Sequence, residues 1–147
     1  MIRSVIYTIL LILSGTAIHA QTSDEQLAAQ YFMSKEYDKA VVLYENLYAK
    51  KNSHYIYSNY LSSLIELKDY KNAEKLIKKQ SKAYPDNYSY SVDLGYIYTL
   101  QGDPAKAEKQ YQQAIQSLSP NEQQIMELAN SFLLKKQIPL AITTFQK

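Results

Sequence analysis

Two phrases decide how this chain folds: Leu94-Gly-Tyr-Ile-Tyr98, and then Gly102-Asp-Pro-Ala-Lys-Ala107-Glu-Lys-Gln-Tyr111-Gln-Gln-Ala114. In the first, apolar and aromatic residues fall at three- and four-residue steps, the period of one helix face. In the second, Asp103 is placed to cap a helix, and Pro104 takes its first position, where a missing N–H costs little. Helical spacing then resumes through Ala107, Tyr111 and Ala114, until Pro120 ends the segment. The stretch predicts two short helices joined by a tight turn.

The same phrasing recurs along the chain. Ala40, Ala73, Ala107 and Ala141 are spaced 33, 34 and 34 residues apart. They close the phrases Lys35-Glu-Tyr-Asp-Lys-Ala40, Lys68-Asp-Tyr-Lys-Asn-Ala73, Gly102-Asp-Pro-Ala-Lys-Ala107 and Lys136-Gln-Ile-Pro-Leu-Ala141. Four residues after each Ala stands a large residue: Tyr44, Ile77, Tyr111 and Phe145. Nine before each stands another: Tyr31, Leu64, Tyr98 and Phe132. Three before that come Ala28, Leu61, Gly95 and Ala129. A register kept four times predicts an array of helix pairs. First helices are expected to begin near Ser23, His54 and Asn87, with Ser23 and Gln26 forming a capping box. Second helices are expected to begin at Glu36, Asp69 and Asp103, where acidic groups suit a helix N-terminus. No stretch alternates with period two for long enough to argue a strand.

Composition bounds the function classes. The 147 residues include no Cys, no Trp, 3 Gly and 15 Tyr. Without Cys there is no disulfide framework, thiolate nucleophile or Cys-bearing zinc site. The net charge is +2 and the only Arg is Arg3, which argues against a nucleic-acid partner. Residues 1–20 read as a secretory signal. Arg3 supplies a positive start, Val5 to Leu13 an apolar run, and Ser14 to Ala20 a small-residue exit, with cleavage after Ala20 or Ala17. The apolar run is shorter than the roughly 20 residues a spanning helix needs, so none is expected after cleavage. The expected location is the periplasm or cell envelope of a bacterium, with secretion as a further possibility.

The repeated pattern resembles the tetratricopeptide repeat family, most closely at Leu94-Gly95-x-x-Tyr98, Gly102-Asp103-Pro104-x-x-Ala107, Tyr111, Ala114 and Pro120. The resemblance covers essentially all of 21–147 and implies an all-α solenoid. Antiparallel helix pairs would stack into a right-handed superhelix of about 3.7 repeats. The repeats are placed at about 21–53, 54–87, 88–121 and 122–147, the last incomplete. The resemblance further implies protein binding without catalysis. Its groove would be lined by first helices, which gives the partner-binding candidates Phe32, Met33, Tyr55, Ser58, Ile65, Val92, Tyr96, Leu100 and Asn130. Tyr55 and Tyr96 stand out because neither falls on a signature core position. This lining is largely apolar and suits an extended peptide or a partner helix. It lacks the Lys, Arg and Asn clamp with which some members take acidic chaperone tails.

No catalytic constellation is expected. Beyond the leader the only His is His54, read as a solvated loop residue, and no phosphate loop or metal-ligand spacing occurs. No cofactor or metal is expected either. Ile142 and Phe145 call for covering. The chain is thus expected to be the N-terminal piece of a longer protein, or to self-associate through this end. The rival reading is the adaptor arm of a larger envelope enzyme or secretion component whose functional domain lies beyond Lys147.

Overall fold

A computed structural model describes residues 24–119 and 121–147, so the expected leader and its cleavage site, Ser23 and Pro120 lie outside the described residues. Within them the chain is helical throughout, with no strand. In order come α1 (24–33), α2 (Tyr37–Lys50), α3 (His54–Glu66), α4 (Tyr70–Ala83), α5 (Ser89–Leu100), α6 (Pro104–Gln116), α7 (Glu122–Leu134) and α8 (Ile138–Phe145). Each expected repeat holds one odd-numbered and one even-numbered helix.

The helix starts follow local chemistry. Asp69 and Asp103 cap α4 and α6, their Oδ1 atoms accepting from the backbone N–H of Asn72 (3.2 Å) and Lys106 (3.0 Å). Ser53 and Asn121 do the same for α3 and α7. Such a bond satisfies one of the otherwise orphaned N-terminal donors. Glu36 precedes α2 as expected but makes no capping bond; its carboxylate pairs with Lys39 instead. The third first helix begins at Ser89, two residues past Asn87, whose Oδ1 accepts from the Ser89 backbone N–H (3.1 Å) just ahead of the helix.

The turn within each pair is one motif used four times. Lys35, Lys68, Gly102 and Lys136 have φ of 61°, 57°, 78° and 59°, and each lies five residues before its repeat's Ala. In three of the turns the bonds mark a Schellman closure: Glu36, Asp103 and Gln137 N–H groups reach back to the Tyr31, Tyr98 and Phe132 carbonyls, all at 2.9 Å.

The described helices group into two compact bodies, one ending at Lys68 and one spanning Asp69–Lys147. In the first, α2 packs on α3, and Ala40, Tyr44, Leu47, Ile56, Tyr57 and Leu64 are buried. Phe32 of α1 meets Tyr37 and Tyr44 edge-on at 5.6 and 6.4 Å. In the second, α5 packs against α4, α6 and α7, and α7 against α8. Its central cluster joins Val92, Tyr111, Ala114, Ile115, Leu128 and Phe132. Gly95 is what lets α5 approach α6: a Cβ there would stand 2.3 Å from the Tyr111 ring. Burying side chains of this size contributes about 1.5–3 kcal/mol each.

Candidate functional site

The nine partner-binding candidates divide by burial and by body. In the first body, Met33 closes α1 with 82% of its surface exposed, and Tyr55 opens α3 with 53% exposed. Ser58, one turn beyond, is half-buried with its Oγ 3.4 Å from His54 Nε2; Ile65 is half-buried near the end of the same helix. Phe32 is half-buried too, and its edge-on contacts with Tyr37 and Tyr44 make it chiefly a packing residue.

In the second body, Val92 is a correction. It has no exposed surface and belongs to the central cluster, so no partner can reach it. The cause is the direct packing of one first helix on the next, α7 on α5, which covers part of the face that the repeat register assigns to the groove. Tyr96 and Leu100 remain half-buried on α5, and Asn130 is exposed on α7. The Lys135 ammonium bridges the two helices. It lies 5.0 Å from the centre of the Tyr96 ring and 2.9 Å from Asp93 Oδ1, with both charged side chains mostly buried. A cation partly withdrawn from water gains more from a carboxylate and a ring face than an exposed one does. Reading the sequence missed this cluster, because Asp93 and Lys135 lie in different repeats and no spacing rule joins them.

Each body holds one further feature. The Tyr44 hydroxyl is enclosed, with the Tyr55 side chain beside it, and makes no hydrogen bond of normal geometry. Burial, and then the Tyr55 hydroxyl, push the Tyr44 phenol well above its ordinary value. In the second body, a cleft of about 460 Å³ opens between the Tyr84-Pro-Asp-Asn87 turn and the start of α7, where Asn121, Gln124 and Glu127 line it. Nothing in the sequence marked a cleft there. Among the described residues no three His, Cys, Asp or Glu side chains gather as a metal site would require. No described helix is long and apolar enough to cross a membrane.

What this frame defines is an all-α helical repeat of solenoid type, with aromatic residues offered on its first helices. Solved structures of the same fold include MamA 41-end from Desulfovibrio magneticus RS-1 and a MamA RS-1 ArsTM double mutant. Each is similar at a TM-score of 0.53 and 17% sequence identity over 86% of this chain, covering 72% and 71% of the MamA chains respectively. At that identity the likeness is one of fold. No family model matches the chain, and no curated protein gives a significant match.

Proposed function

We propose that this chain is an exported scaffold of tetratricopeptide type that holds a peptide or helix of a partner protein and performs no chemistry of its own. The observation that carries this reading is Tyr55, a large aromatic left half exposed on a first helix while its neighbours Ile56 and Tyr57 are buried. Tyr96 offers a second, half-buried ring on α5. Aromatic residues are favoured contacts because they supply much area for little conformational entropy, and a few of them carry most of an interface's energy. The four-fold register and the leader-like residues 1–20 support the family and export parts of the reading.

Combining Tyr55→Ala with Tyr96→Ala tests it. Partners captured by the chain from the cell-envelope fraction should bind about thirtyfold more weakly or worse, since one aromatic anchor contributes roughly 2 kcal/mol. The melting temperature should fall by no more than several degrees, because the Lys135–Tyr96 contact, mostly withdrawn from water, is worth about 1–2 kcal/mol. Unchanged capture would remove these residues from the site. A collapse of melting would place them in the core.

A further inference from the structure

The helix-pair register fixes which residues of neighbouring repeats meet, and it does so twice in the second body. The residue nine before the repeat's Ala packs on the second helix of the preceding repeat. Tyr98 donates its hydroxyl to Glu74 Oε1 (3.2 Å), and the Phe132 ring meets Tyr111 edge-on at 5.5 Å. Glu74 stands one residue after its Ala, and Tyr111 four after its own.

In α8 those two positions are Ile142 and Phe145. Phe145 is 50% exposed, whereas its counterparts Tyr44, Ile77 and Tyr111 are 0, 0 and 3% exposed. Ile138 and Ile142 are exposed to a similar degree, and the three residues make one apolar stripe at four- and three-residue spacing. The complementary vacancy is on α1. Leu27, thirteen before its Ala, is 38% exposed, while Tyr60, Leu94 and Leu128 at that position are buried. Tyr31, nine before, is half-exposed, with the Lys39 ammonium 5.2 Å from its ring centre. Among the described residues no helix covers either face, and each presents what the other would take.

We infer that the bare face of α8 takes α1 of a second copy of this chain, so that copies join head to tail. Tyr31 of the incoming copy then lies on Ile142 and Phe145, with Leu27 beside it, in the register that Tyr98 and Phe132 already use. Charge agrees with this pairing. Gln80, late in α4, meets Tyr90, early in α5, so a first helix runs against the preceding second helix. The same direction brings Asp24 and Glu25, at the start of α1, to Lys147, just past α8. Their own lysines, Lys50 and Lys51, stand only at 4.0 Å. Because the two faces differ, each joined copy still offers one free face, and assembly continues into a chain or closes as a ring. The inference stands on the repeat register and not on the groove proposed above.

The test is sedimentation velocity on the full chain, expressed with its own leader and recovered as the cell processes it. The wild type should gain mass with concentration beyond a dimer. Leu27→Glu and Phe145→Glu, each at an exposed site, should each be monomeric with unchanged far-UV circular dichroism. Mixed, they should form a dimer and nothing larger, since each retains one working face. If Phe145→Glu lowers helicity, Ile142→Glu replaces it. A wild type that stays monomeric overturns the inference, as it would if a further helix of a longer polypeptide covered α8. A Leu27→Glu variant that associates like the wild type overturns the head-to-tail arrangement, and so does a mixture that stays monomeric. Partner capture through Tyr55 and Tyr96 should persist in both end variants, which separates this outcome from failure of the groove reading.

Discussion

At Tyr44 the fold encloses a hydroxyl that makes no hydrogen bond of normal geometry, with Tyr55 beside it. An unpartnered buried hydroxyl costs about 1–3 kcal/mol relative to one that finds a partner. Its phenol is shifted upward in the folded chain, first by burial and then by Tyr55. Burial shifts the phenols of Tyr90 and Tyr111 the same way, the Thr99 hydrogen bond pulling Tyr111 back in part. An acid with a raised folded value favours the folded state below the ordinary phenol value of about 10, and that contribution is lost as pH rises past it. Stability followed by circular dichroism should therefore fall from about pH 10 upward. Tyr44→Phe should be as stable as the wild type or up to about 1 kcal/mol more stable at neutral pH, and should unfold at higher pH. A loss of more than about 1 kcal/mol at neutral pH would show that the hydroxyl is bonded. The sequence marked Tyr44 as a packing position, four residues after Ala40, but spacing says nothing about where a hydroxyl ends. The resemblance misplaced Val92 for a related reason: it assigns a first-helix face to the groove without saying which neighbouring helix covers it.

Helix ends were more legible than helix faces, because caps and turns are written in neighbouring residues. Asp69, Asp103 and Pro104 act as their types suggest. The left-handed residue that closes each first helix was visible only at Gly102, the one repeat where the residue type announces it. Lys35, Lys68 and Lys136 hold the same conformation against the clash of a Cβ with the backbone, worth about 1–2 kcal/mol per residue. Glycine removes that clash but makes the unfolded chain more flexible, by about 0.5–1 kcal/mol. Each of Lys35→Gly, Lys68→Gly and Lys136→Gly should therefore stabilise by about 0.5 kcal/mol, raising Tm by roughly 2 °C. Gly102→Lys should lose a similar amount, although nothing lies within 4 Å of a Cβ placed there. Equal and opposite shifts would show that backbone conformation governs these turns. A loss of stability on Lys→Gly would show that the lysine stems contribute more than the strain removes.

At the scale of the whole molecule, the four-fold spacing of Ala40, Ala73, Ala107 and Ala141 carried the fold class, because a repeat must satisfy the same packing rule each time it recurs. The division into two compact bodies at Lys68 was not legible. It falls inside a repeat, between α3 and α4, where no change of composition marks it. Stability in a repeat array is close to a sum of local terms, so damage should stay near its origin. Gly95→Ala forces a methyl group toward the Tyr111 ring at the α5–α6 contact, and overpacking of this kind costs about 1–3 kcal/mol. Amide hydrogen exchange should then accelerate in α5, α6 and α7, which share the Val92–Tyr111–Phe132 cluster. Protection in α2 and α3, which have their own core around Tyr44 and Leu64, should change little. Uniform acceleration from α2 to α8 would mean that the chain unfolds as one cooperative unit. The local-sum description would then fail for this array, and the end faces of α1 and α8 could no longer be treated as independent sites.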